Sequence, residues 1–127
     1  MHTIEDTYEI NAPIDRVWWA LTTAEGGEAW GAGPAKFNAT EGGEFSYWDD
    51  DIHGTNTKLA APTLLEQDWY GHDNPSWKYV AKFVLEAKSD TSTTVHLYFS
   101  GDIQDEKKDL SDWREYYFEP IQKLLES

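Results

Sequence analysis

The stretch SWKYVAKFVLEAK, residues 76–88, decides the fold class because its polarity alternates with a period of two. Its apolar side chains share one face: Trp77, Tyr79, Ala81, Phe83 and Leu85. The lysines of the stretch fall on the other face. Such alternation is typical of a strand with one buried and one wet face. Sheets that expose one face to water are commonly antiparallel, so the stretch predicts an antiparallel sheet.

The same alternation recurs on both sides of this stretch. Val95, Leu97 and Phe99 repeat it in residues 93–100, and residues 3–10 show it near the start of the chain. Glycine, proline and acidic turns separate further short segments at 44–48, 54–60 and 63–70. Strands that follow one another through short turns predict a meander.

Helical periodicity appears before and after these strands. Pro13 suits the first turn of a helix, and an apolar stripe follows it: Ile14, Val17, Trp18 and Leu21. Thr23 is placed to cap a second short helix that ends near Trp30. The last 20 residues predict a long helix with an apolar stripe: Leu110, Trp113, Tyr117, Ile121 and Leu124. Pro120 removes one backbone hydrogen bond from that helix, which predicts a kink near Tyr116.

Composition restricts the possible functions. The 127 residues carry 24 acidic and 10 basic side chains, a formal charge of −14. Because nucleic acids and anionic membranes require clustered Lys and Arg, neither partner is expected. The absence of cysteine excludes disulfides, thiol catalysis and thiolate metal sites. The first residues, MHTIEDTYEI, do not read as a signal peptide, so we expect a single cytoplasmic domain over residues 1–127.

Short motifs along the chain resemble one known family. They are Ile10-Asn11-Ala12-Pro13 followed by Val17-Trp18, Gly42-Gly43-Glu44-Phe45, and the ending Leu124-Leu125-Glu126. In this order they resemble the helix-grip fold of the START-like superfamily, and in particular its branch related to the activator of the Hsp90 ATPase. The resemblance implies an α+β fold. A curved antiparallel sheet of about six to seven strands wraps around a long C-terminal helix, and two short helices follow strand one.

The resemblance also implies a cavity between the sheet and this long C-terminal helix, which is called the closing helix below. Aromatic residues predicted to face inward either fill that cavity or line it, and the sequence leaves both alternatives open. Asp6 and Gln67 share the inward face of their strands, so each needs a hydrogen-bond partner or a ligand. The candidate ligand-binding residues are Asp6, Tyr8, Phe45, Tyr47, Gln67, Trp69, Trp77, Tyr79, Phe83, Phe99, Trp113 and Tyr117.

No motif for a metal, a cofactor or a catalytic triad stands out. The four histidines are dispersed. His53 follows three aspartates at 49–51, but that run lacks the alternating ligands and glycine of a calcium loop, so we interpret it as a solvated turn. The sequence contains neither GxSxG nor a phosphate loop. We therefore expect no catalytic residue, metal or cofactor.

Three functions remain open at this point. The first is binding of a small apolar or aromatic molecule in the cavity. The second, which the resemblance implies, is a chaperone-associated interaction module whose acidic surface and outward Trp19 or Trp48 meet a partner. The third is a cyclase- or hydrolase-like activity, as in some START-like relatives, which would require a titratable inward residue such as Asp6. Standalone relatives also include stress-associated proteins.

Overall fold

The computed structural model describes residues 2–71 and 78–126 and contains one seven-stranded sheet. Its strands are β1 (His2–Ile10), β2 (Lys36–Phe37), β3 (Glu44–Tyr47), β4 (Ile52–Ala60), β5 (Leu64–Gly71), β6 (Lys78–Ser89) and β7 (Ser92–Gly101). The order in the sheet is β1-β7-β6-β5-β4-β3-β2, and each neighbouring pair is antiparallel. The predicted helix-grip architecture is confirmed. The two-residue strand β2 is an addition, because it is too short to show a period.

The helices lie where the sequence places them. They are α1 (Ile14–Thr22), α2 (Ala24–Ala29), α3 (Glu106–Asp112) and α4 (Glu119–Leu125). The Thr23 hydroxyl accepts a hydrogen bond from Gly26 N at 2.8 Å, which caps α2 as expected. Asp105 caps α3 in the same way through Lys108 N.

The closing helix runs from α3 to α4 and changes its winding where Pro120 predicts an interruption. A π-helical segment, Trp113–Phe118, joins α3 to α4 and immediately precedes Pro120. Proline has no N–H to donate to the carbonyl four residues earlier. Around this point the Glu119 N–H instead reaches back five residues to Arg114 O. The interruption is therefore a π-helical segment, a form that is frequent at functional sites.

The core lies between the concave face of the sheet and the closing helix. On β6, Tyr79, Ala81, Phe83 and Leu85 are buried, as the alternation predicts. Trp77 falls outside the described residues. From the helix side, Phe118 and Ile121 are both fully buried against this face.

The turn between β3 and β4 has an unusual backbone. Trp48, Asp49 and Asp50 adopt φ values of 52°, 55° and 68°, a conformation that bulky residues rarely take. Two backbone hydrogen bonds hold the turn, from Trp48 N to Ala32 O at 2.8 Å and from Asp49 N to Pro34 O at 3.1 Å. Because β3 ends at Tyr47, Trp48 does not continue the strand alternation that would point it outward. It is half-buried and packs on the core.

None of the helices within the described ranges has the length and apolar character needed to cross a bilayer.

Candidate binding cleft

An open cleft of about 710 Å³ lies between the sheet and the closing helix. Strands β4 to β7 supply one wall, the closing helix supplies another, and the β3–β4 turn borders the entrance. Aromatic side chains form most of the lining that the described residues provide: Trp30, Trp48, Trp69, Tyr79, Phe99, Trp113, Tyr116 and Tyr117. Aromatic walls around such a volume are typical of a small-molecule site.

Strand register brings three of these rings together on the sheet. Trp69 pairs with Tyr79 across β5 and β6, and Phe99 lies on β7 beside them. The Tyr79 and Phe99 rings stack with centroids 4.9 Å apart. Gly101 pairs with Tyr79, and a Cβ at this position would meet the Tyr79 ring at 2.2 Å. Glycine at 101 therefore permits the Tyr79 ring to lie against β7.

The closing helix contributes the facing rings. Trp113 lies 4.9 Å from Trp69 and 4.8 Å from Tyr117, measured between ring centroids. Tyr117 in turn lies 4.6 Å from Trp30, just beyond the end of α2. Each tilted or edge-on pair contributes about 0.5–1.5 kcal/mol beyond area burial. The wall is therefore held by mutual ring contacts.

A buried polar chain fixes the orientation of Trp69. Trp69 Nε1 donates to Gln67 Oε1 at 2.8 Å, and Gln67 Nε2 donates to Asn56 Oδ1 at 2.9 Å. Asn56 Nδ2 then donates to the Asn38 carbonyl at 2.9 Å. Gln67 and Asn56 are both fully buried. Gln67 thus has protein partners, and through Trp69 it supports the cleft from behind.

Two tyrosine hydroxyls behind the cleft differ in their bonding. Tyr47 Oη donates to the Leu21 carbonyl at 3.2 Å. Tyr117 is 2% exposed, and its hydroxyl lies beside the Tyr47 hydroxyl without a well-aligned hydrogen bond in the described part of the chain. Burial raises the pKa of both phenols well above the ordinary value. Both side chains are therefore neutral at physiological pH.

Carboxylates border the aromatic lining. The described lining residues include Asp51, Asp109, Asp112 and Glu115 but no Lys, Arg or His. Asp112 is paired with Lys108 at 2.8 Å. Partial burial, and then the neighbouring Asp112 carboxylate, raise the pKa of Asp109. The entrance is therefore negative, with the charge concentrated on the helix side.

The predicted site residues fall into four groups. Five line the cleft: Trp69, Tyr79, Phe99, Trp113 and Tyr117. Five are buried in the protein without lining it: Tyr8, Phe45, Tyr47, Gln67 and Phe83. Asp6 lies outside the lining, where its Oδ2 accepts from Arg114 Nη2 at 2.7 Å. Trp77 falls outside the described residues.

Sequence reasoning missed part of the lining. Trp48 and Trp30 enter it through loop geometry and α2, which strand parity does not describe. Tyr116 is 60% exposed and enters through the π-helical segment. The spacing of Asp109, Asp112 and Trp113 on one helical face was a signal that could have identified the acidic border. Within the described ranges, no three His, Asp or Glu side chains group closely enough for a metal ion.

The fold and the cleft together define a START-like helix-grip protein. The family model described as "Activator of Hsp90 ATPase homolog 1-like protein" matches residues 11–126. The chain belongs to this family. Comparison with curated proteins gives no match.

Solved structures support the fold assignment. An HSP90 activator from Plasmodium falciparum is 17% identical, with a TM-score of 0.85 over 98% of this chain and 96% of that chain. The Aha1 dimer from Colwellia psychrerythraea is 19% identical, with a TM-score of 0.81 over 98% and 96%. DynU16, from the dynemicin biosynthetic locus, is 17% identical with a TM-score of 0.82, over 98% of this chain and 47% of that chain. At these identities the likeness concerns the fold.

Proposed function

We propose that this protein binds a small apolar or aromatic molecule in the cleft between the sheet and the closing helix. The observation that carries the proposal is the open volume of about 710 Å³ lined mainly by aromatic rings. Side chains that simply completed a core would close this space, as they do elsewhere under the same sheet. The match to DynU16, a protein of a biosynthetic locus, is compatible with a ligand-binding role.

The lining also favours binding over catalysis. Asp6, the residue that an acid–base mechanism was expected to use, is paired with Arg114 away from the lining. The rings of Trp69, Trp113 and Tyr117 instead pack against one another and form a continuous apolar part of the lining. A ligand that occupies this space would quench or shift tryptophan fluorescence, because several of the seven tryptophans lie around it.

The experiment is a titration with a neutral hydrophobic probe such as Nile red, followed by probe and tryptophan fluorescence and by thermal shift. Ile52→Trp places bulk in the lining, while Ile103→Trp adds the same bulk at a partly buried position outside it. We expect the first variant to weaken binding at least about tenfold and the second to leave it unchanged. Equal affinities for the two variants, or no binding to the unaltered protein, would reject the proposal.

A second candidate is a protein-interaction module related to chaperone activation. Family membership and the exposed Trp19, 37% accessible on α1, favour it. Stimulation of an Hsp90 ATPase by the purified protein, lost in Trp19→Ala, would support this function. No stimulation over a wide concentration range would count against it.

A further inference from the structure

We propose that the cleft selects ligands that carry a positively charged amino or ammonium group on an aromatic or apolar body. This inference rests on the proposed binding function and adds the charge of the ligand to it. It is carried by the charge of the lining and by the occurrence of acidic residues beside aromatic rings.

The first argument is the sign of the charge around the cleft. Four carboxylates border it, and the described lining residues offer no cation to balance them. Lys108 neutralises Asp112 from outside the lining. Within the described ranges, Asp51, Asp109 and Glu115 form no salt bridge. A ligand cation at the entrance would supply this missing counter-charge, whereas an anion would be repelled.

The second argument is that acids and rings occur side by side on two separate elements. On the β3–β4 turn, Asp51 N donates to Trp48 O at 3.2 Å, so the two residues are held in one turn. On the closing helix, Trp113 N donates to Asp109 O, which places this pair one turn apart. Aromatic faces attract ammonium groups, and a nearby carboxylate adds to that attraction. The cleft therefore presents the combination of groups that recognises organic cations.

The test uses three naphthalene probes of the same size and different charge. They are 1-naphthylmethylammonium, 1-naphthylmethanol and 1-naphthoate, titrated at pH 7 by calorimetry in low and high salt. We expect the ammonium probe to bind about tenfold more tightly than the alcohol, and the carboxylate to bind most weakly. The preference should decrease in high salt, because ions screen the carboxylates at the entrance.

A pair of double variants separates local charge from overall charge. Asp51→Asn/Asp109→Asn removes two carboxylates from the cleft, and Glu5→Gln/Asp15→Asn removes two exposed ones that do not line it. We expect the first variant to lose most of the preference for the ammonium probe over the alcohol, and the second variant to keep that preference.

The outcomes distinguish this inference from the function on which it rests. Equal affinity for the ammonium and the alcohol would overturn charge selection and leave the binding function in place. The same would follow if both double variants lost the preference equally. If none of the three probes bound, both proposals would be rejected.

Discussion

The two ends of the space under the sheet both contain aromatic rings in contact, but in the described part of the chain one end is closed and the other borders a cleft. At the closed end, Phe118 stacks on Tyr8 with ring centroids 3.9 Å apart, and both are at most 1% exposed. At the open end, Trp69 and Trp113 approach to 4.9 Å and still border a cleft of about 710 Å³. Contacts between aromatic rings alone therefore do not determine whether the space is filled.

The difference follows from what covers each end. Helix α1 packs against α4 with Val17 and Leu21 fully buried, and this layer completes the closed end. The described part of the open end is bordered instead by the β3–β4 turn and by carboxylates of the closing helix. Carboxylates are costly to bury without partners, so this border remains in contact with water. The acidic residues therefore stay at the solvent border of the cleft and do not fill it.

The largest expected effect comes from creating a cavity at the closed end. Phe118→Ala removes a fully buried ring that contacts Tyr8, Phe83 and Trp113, so unfolding free energy should fall by about 3–5 kcal/mol. Urea denaturation measures the change. Tyr116→Ala, in the same helical segment but 60% exposed, should cost no more than about 0.5 kcal/mol. Similar costs for the two variants would contradict the distinction between the ends.

A smaller effect should follow from breaking the polar support behind the open end. Gln67→Leu leaves Trp69 Nε1 and Asn56 Oδ1 without this partner, which should cost about 2–4 kcal/mol. The neutral probe should also bind more weakly, because Trp69 loses its orienting bond. Gln104→Leu, at an exposed position, is the control for the substitution itself. If stability fell but probe affinity did not, Gln67 would have no positioning role.

The architecture could be predicted from the sequence because it depends on the period of the apolar residues and on the order of strands and helices along the chain. Alternation in residues 76–88 marks a strand that is buried on one face, and the burial of Phe83 and Leu85 agrees with this. It predicted the lining only in part. Tyr8 and Trp69 both face inward on their strands, but only Trp69 reaches the cleft. The alternation along a strand predicts which face of the sheet a residue lies on. Its position along the axis of the closing helix decides whether it is packed in the core or lines the cleft.

Two features of the site could not be read from periodicity. Trp48 enters the lining through a left-handed turn held by the carbonyls of Ala32 and Pro34, which are remote in sequence. Asn56 meets Gln67 because β4 and β5 pair in that register, with an irregularity directly after Asn56. Such contacts depend on tertiary structure, and a single sequence does not encode them in a local pattern.

Removing the hydroxyl of Tyr47 and removing that of Tyr117 should have different effects on the free energy of unfolding, each of at most about 1 kcal/mol. Tyr47→Phe loses the bond to the Leu21 carbonyl and should lower the unfolding free energy by about 1 kcal/mol. Tyr117→Phe removes a buried hydroxyl without a well-formed bond, so stability should be unchanged or should rise by up to about 1 kcal/mol. Chemical denaturation at pH 7 measures both. A clear loss in Tyr117→Phe would show that its hydroxyl is satisfied in the folded protein.

The smallest expected effect is on Tm. Neutralising Asp109 and neutralising Asp112, two neighbouring acids at the open end, should not change it in the same direction. Because the pKa of Asp109 is raised in the folded state, this group binds protons more readily when folded and opposes folding once it is ionised. Asp109→Asn should therefore leave Tm at pH 7 unchanged or raise it by about 1–2 °C. Asp112→Asn loses the bond to Lys108 and should lower Tm slightly. Below about pH 3, where a protonated Asp109 resembles asparagine, the Asp109→Asn difference should vanish. A lower Tm for Asp109→Asn at pH 7 would mean that this carboxylate stabilises the fold, and the acidic border would then serve structure rather than ligand selection.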